Sequence, residues 1–178
     1  MTTQQAGILI TYTPEIPGGV ARELTRQLVA HGYRVTVMTN GSDGARVIRG
    51  AGGLPAYSSL TRAGEIRSML KAANAQVIVN LAPQSMNHVP ALKTAWDERV
   101  LSEGTAAVID AAKEAGVEYL LHTSYSYVGG GVPDGAAAFL RAAAAAERKV
   151  LASGVPAAVL RFGFLYGDSA ELTAVRDA

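Results

Sequence analysis

The sequence predicts an α/β protein built on one doubly wound, all-parallel sheet with strand order 3-2-1-4-5-6. Three observations carry this. Short apolar runs alternate with longer stretches of helical period along the whole chain. The runs are apolar at nearly every position, which is the pattern of strands buried on both faces beneath helices. No linker, low-complexity tract or solenoid repeat interrupts the alternation, so residues 1–178 read as a single domain. Right-handed crossovers then leave the Rossmann-type order as the leading topology.

Each element has its own reason. Gly7–Thr11 is a short apolar first strand. Gly19 to His31 is helical, with Val20, Leu24, Leu28 and Val29 on one face and Gly32 where a C-cap is wanted. Val35–Met38 is the second strand and Ser42–Gly50 a short helix. Leu54–Ser58 is a third strand interrupted by Pro55, and Arg62–Ala73 is the next helix. Gln76–Leu81 is a buried fourth strand. Pro90–Ala115 reads as a long helix with proline in its first turn and Gly116 at its end. Glu118–His122 is the fifth strand. Gly135–Ala152 is a helix ended by Gly154, and Ala157–Arg161 is the sixth strand.

Composition excludes several classes of function. Hydrophobic residues make up 49% of the 178, enough for a full core. The net charge is +1, from 16 basic and 15 acidic residues, which argues against nucleic-acid or membrane-surface binding by bulk electrostatics. There is no cysteine, hence no disulfide and no thiolate nucleophile. His31, His88 and His122 are scattered, and no metal site is expected. The start, MTTQQAGILIT, has no basic segment and no long apolar run, so a cytoplasmic protein without a membrane span is expected.

In a doubly wound sheet, ligands bind outside the carboxyl ends of the strands where the strand order reverses. The loop after the first strand leads from Thr11 to Gly18-Gly19-Val20-Ala21, which opens the first helix. Pro17 through Val35, with Gly32 before the second strand, resembles the short-chain dehydrogenase/reductase superfamily and its TGxxGxxG loop. Matched to that loop, Gly18 falls on the second glycine, Ala21 on the third and Glu15 on the first. The resemblance extends along the chain in order. Asn80-Leu81-Ala82-Pro83 resembles the segment that lines the family's cofactor cleft. Glu103-Gly104-Thr105 and the helix to Val117 are similar to its NVxGTxNLLEAAxxAGV segment. His122 through Gly129 resembles VSSxxVYG, and Leu160 through Gly167 resembles LRPGxVYG with Phe162 in place of proline. This set is that of the extended and atypical branches: the NAD-dependent epimerase/dehydratases and the NmrA-like proteins.

The resemblance implies an NAD or NADP site at Thr11, Gly18, Gly19, Ala21, Asn40, Asn80, Leu81 and Ala82. It also implies where the chemistry departs. The family's tyrosine is the general acid/base, its lysine depresses the tyrosine pKa and holds the ribose, and its serine orients the substrate oxygen. Here Ser124 stands at the serine position, while Phe139 and Ala143 stand at the tyrosine and lysine positions, with Arg141 and Glu147 still matching. Leu101 replaces the asparagine. Tyr125 and Tyr127 are alternative acids, against which alternate residues at a strand end are expected to point to opposite faces. His122 reads as a structural histidine at a strand end. Arg161 and Tyr166 either line a substrate pocket or pack the fold.

Cofactor binding is expected to be weak or vestigial. Asn40 stands where an acidic residue usually reads the ribose, Ser59 where an aspartate reads the adenine, and Glu15 near the diphosphate; Arg46 is the candidate for an NADP phosphate. Two functions follow: an oxidoreductase-like protein with altered or lost redox chemistry, or a non-catalytic Rossmann scaffold or accessory subunit. A small-molecule ligand is expected, with association into a homo-oligomer or larger complex through Phe162, Phe164, Leu165 and Tyr166 or the two long helices. Extended members hold substrate after the LRPGxVYG segment, so a substrate region is expected to be absent or truncated after about residue 167.

Overall fold

Six strands assemble in the computed structural model, which describes residues 6–11, 19–39, 41–58, 60, 62–81, 98–130 and 137–163. They are β1 (Gly7–Thr11), β2 (Arg34–Thr39), β3 (Leu54–Tyr57), β4 (Ala75–Asn80), β5 (Tyr119–Tyr125) and β6 (Ala157–Phe162). The helices are α1 (Val20–Ala30), α2 (Ser42–Gly50), α3 (Ala63–Ala73), α4 (Thr105–Ala115) and α5 (Ala137–Leu151). The sheet order is β3-β2-β1-β4-β5-β6, every neighbouring pair parallel. That is the order expected from apolar strands joined by helical crossovers.

Strand alternation sorts the core into two layers. Ile8, Ile10, Val35, Val37 and Val79 point to one face, under Ala21 and Leu24 of α1 and Ile48 of α2. Leu9, Met38, Ile78 and Leu120 point to the other, under α3, α4 and Val150 of α5. Leu9, Ile10, Ile78 and Leu120 are fully buried, and burial of each such side chain contributes about 1.5–3 kcal/mol. A third cluster, of Leu101, Tyr125, Val128, Phe139, Leu140 and Ala143, closes the end of the sheet at the start of α5.

The boundaries differ from expectation where tertiary pairing decides them. β5 runs three residues beyond His122, because Thr123, Ser124 and Tyr125 pair with Leu160, Arg161 and Phe162. Those polar residues carry no apolar signal; the β6 ladder holds them extended. β4 stops at Asn80 and β3 at Tyr57, one residue short of expectation in each case. Of the long helix expected from Pro90, the described part opens at Glu98 and passes through a π-helical turn, Val100–Gly104, before α4. α4 ends on Gly116 in the left-handed region, at φ 67°.

Candidate functional site

β1 lies between β2 and β4, so the strand order reverses there and the carboxyl ends of β1 and β4 flank a crevice. α1 begins at its edge. Its N-cap, Gly19, sits at φ 85° and ψ −170°, a conformation that L side chains rarely adopt. A Cβ there would meet nothing within 4 Å, so the backbone torsion, not crowding, calls for glycine. Among the described residues no side chain caps the first turn of α1, which leaves the helix start able to receive an anion. Ala21 is buried against the β1–β2 face and fills the small-residue role of close helix–strand packing. In the same turn Glu23 is bound by Arg26 at 2.6 Å and by Gln27 at 2.9 Å. Arg26 above all holds its carboxyl down to about 2.

Across the crevice, three polar side chains line up because register puts them there. Thr11 pairs with Asn80, and Asn80 with His122, so all three lie on the face that carries Leu9, Ile78 and Leu120. The Thr11 hydroxyl donates to Asn80 Oδ1 at 2.6 Å. Asn80 Nδ2 lies 2.9 Å from His122 Nδ1. All three residues are buried, His122 and Thr11 completely. Desolvation pushes the imidazole down to about 4, against the opposing pull of the Glu147 carboxylate.

Ser124 follows two residues along β5, opposite Arg161 on β6. α5 lowers Glu147 onto this row. Its carboxylate is 6% exposed and takes a two-point hydrogen bond from Arg161, at 2.9 Å from Nε and 2.6 Å from Nη2. Burial works to raise the Glu147 pKa, but Arg161, Ser124 and the charge near His122 together lower it. Ser124 Oγ makes no well-formed hydrogen bond; it lies close enough to Glu147 to help hold it ionised. Among the described residues, Ser124 Oγ and His122 Nε2 are the two buried side-chain polar atoms without a partner.

The helical positions that resemble the tyrosine–lysine pair are hydrocarbon. Phe139 is 2% exposed and meets the Tyr125 ring edge-on, with centroids 5.1 Å apart. Ala143, one turn on, is fully buried, as is Leu101. Tyr125 and Tyr127 are two residues apart, the spacing that shares a face on a strand; their rings stack with centroids 5.7 Å apart, Tyr127 lying in the turn after β5. Burial raises the Tyr127 phenol pKa.

Several expected site residues are placed apart from this row. Leu81 is buried in the α1–α2 layer. Arg46, the candidate for a phosphate, pairs with Asp43 on the exposed surface of α2. Gly18, Asn40 and Ala82 lie outside the described residues, as do Glu15, Ser59, Phe164, Leu165 and Tyr166. Beyond the carboxyl end of β3 an open groove of about 550 Å³ is lined by Tyr57, Ser58, Arg62, Glu65, Ser68 and Met69. The meeting of Glu147 with His122 and Ser124 was not foreseen. Its sequence signals are the match of Glu147 to the resembling helix pattern and spacing: Phe139, Ala143 and Glu147 recur every four residues and so share one helix face. Among the described residues no acidic or histidine cluster suits a metal, and no helix is long and apolar enough to cross a membrane.

A protein-family profile described as NAD(P)H-binding matches residues 17–177. Among solved structures, the Thermus thermophilus UDP-glucose 4-epimerase complex with NAD superposes at TM-score 0.73 and 22% identity, covering 90% of this chain and 56% of that one. The Bordetella bronchiseptica enzyme WbmG in complex with NAD superposes at 0.70 and 23%, covering 90% and 54%. The Citrobacter sp. triphenylmethane reductase complexed with NADP(H) superposes at 0.61 and 15%, covering 86% and 48%. At these identities the likeness is one of fold, and the chain spans about half the length of each of these structures. A comparison with curated proteins finds no match.

Proposed function

The chain belongs to the NAD(P)H-binding family, and from that premise we propose that it binds a nicotinamide dinucleotide, weakly, at the carboxyl edge of β1 and β4 without tyrosine-type redox chemistry. The observation that carries the binding half is the reversal of strand order at β1 beside the glycine-opened start of α1. The described residues fit the group. Gly19 and the first turn of α1 would receive the diphosphate, and Ala21 lets the helix approach the strand. Asn80, its amide held by Thr11 and His122, would fix the end of β4 at the ribose side, and the groove beside Tyr57 would take the adenine. When bound, such a cofactor supplies hydride transfer.

The other half of the proposal rests on Phe139 and Ala143. A hydride step on a carbonyl needs a proton donor within hydrogen-bond reach of the oxygen. Phe139 has no proton to give, Ala143 no charge with which to hold a tyrosinate, and Ser124 no base strong enough to share, since Glu147 is engaged by Arg161. A non-catalytic accessory role is the second reading, favoured by the same two buried hydrocarbon side chains. On either reading residues 1–178 act as one dinucleotide-binding domain.

Fluorescence titration with NADH and NADPH tests this. Losing two or three ribose and adenine contacts at about 1–3 kcal/mol each takes a micromolar site toward millimolar. Saturable binding in that range, with no turnover, is expected. A dinucleotide that co-purifies with the protein contradicts the weak site. Robust turnover abolished by Tyr125→Phe or Tyr127→Phe contradicts the loss of chemistry.

A further inference from the structure

We infer that His122 is a positioning residue for the carboxyl end of β1, acting through Asn80 on Thr11, and that its imidazole carries its proton on Nε2. The inference deepens the cofactor reading, since Thr11 is the last residue of β1, at the edge of the sheet where that reading places the cofactor.

The argument is one of hydrogen-bond direction. Thr11 has one proton and donates it to Asn80 Oδ1. That fixes the asparagine amide, so its NH2 group faces His122 Nδ1. An NH2 group donates only, so Nδ1 must present its lone pair and the ring proton resides on Nε2. Reversing the chain would turn Asn80 over, make Thr11 an acceptor and strand two groups among the described residues, the Thr11 hydroxyl proton and the Nε2 lone pair, where the arrangement seen strands one, the Nε2 proton. The three residues therefore act as a unit, set in one row by the β1–β4 and β4–β5 registers. The groups facing the imidazole are Asn80 from β4 and the Glu147–Arg161 pair from α5 and β6. Because burial holds the ring neutral, the acceptor lone pair persists through the neutral pH range. Asparagine at position 122 keeps an acceptor near the place of Nδ1; leucine keeps the bulk and removes it.

Two measurements on the full chain test the inference, one of them without any cofactor. In the imidazole 15N spectrum at neutral pH, His122 Nδ1 should resonate as an unprotonated nitrogen and Nε2 as a protonated one. Thr11→Val, which frees the Asn80 amide, should move the Nδ1 resonance. A protonated Nδ1, or an Nδ1 resonance untouched by Thr11→Val, overturns the inference. The second measurement is an NADH titration of Thr11→Val, His122→Leu and the double variant. Each single change should weaken binding about tenfold and the double no further, since members of one network are not additive. His122→Asn should restore most of the loss. Independent, multiplying losses, or no rescue by asparagine, overturn it. If wild type binds no dinucleotide, the cofactor reading fails on its own, and the 15N arm still decides the relay.

Discussion

Successive turns of α5 face the same side of the sheet with opposite chemistry. Its first turns present Phe139, Leu140 and Ala143, which pack against Tyr125, Val128 and Leu101. One turn later Glu147 presents a buried carboxylate to Arg161, beside Ser124 and His122. The first part sits where the short-chain dehydrogenase resemblance implies chemistry and offers only hydrocarbon; the second sits where no chemistry is implied and holds the charge. The difference separates two things that sequence motifs run together. Polar residues that orient the ends of the strands persist here independently of those that move protons.

Substitutions sharpen or break that contrast, and the largest effect belongs to the hydrocarbon end. Phe139→Ala should cost about 3–5 kcal/mol of unfolding free energy in a urea titration, as expected for a fully buried aromatic. A loss below the Glu147 variant would show that the cluster is not packed as a core. Next comes acidification. His122 titrates at about 4 in the fold and at 6.5 in a free chain. Between these values the unfolded chain binds the proton and the folded one does not, so stability is fully present above pH 6.5 and falls as the pH drops toward 4. The loss should reach about 3 kcal/mol, measured as the urea midpoint against pH, and His122→Asn should flatten that window. Glu147 adds a loss of the same sign, because its pKa is lowered in the fold and the unfolded chain takes up that proton first as the pH falls; comparison with His122→Asn isolates the histidine's share.

Glu147→Gln should cost about 1–3 kcal/mol, since it keeps the shape but leaves Arg161 a weaker partner. Arg161 is about half exposed, so water takes part of the load and the value should fall toward the low end. The smallest change is Ser124→Ala, expected within about 0.5 kcal/mol of wild type because a hydroxyl without a well-formed bond has little to lose. A loss above about 1 kcal/mol in thermal or urea melts would mean that Ser124 donates firmly to Glu147, which would draw the serine into the polar turn and erase part of the contrast.

The strand order was legible in the residues because all-apolar runs such as Ile8–Ile10 and Val77–Val79 leave little choice but a covered parallel sheet. The site was legible only in pieces. Asn80 and Ser124 stood out as residue types at strand ends, and Phe139 and Ala143 by what they replace in a resembling motif. Asn80 and His122 stand 42 positions apart, and what joins them is a register that local pattern does not encode. The same holds for the far end of β5, which is a strand only because β6 lies beside it.

Among the described strands, the two at the outer borders of the sheet are unequal. β3 is four residues long and carries Pro55, which has no N–H to offer a newcomer. β6 is six residues long, has no proline, and exposes Leu160 at 43%. A foreign strand seeking a template therefore finds one receptive margin and one blunted margin. Growth of the sheet by addition of another chain would be one-directional, beyond β6, so colloidal behaviour at high concentration should respond to a charge placed at Leu160 and ignore one placed at Leu54.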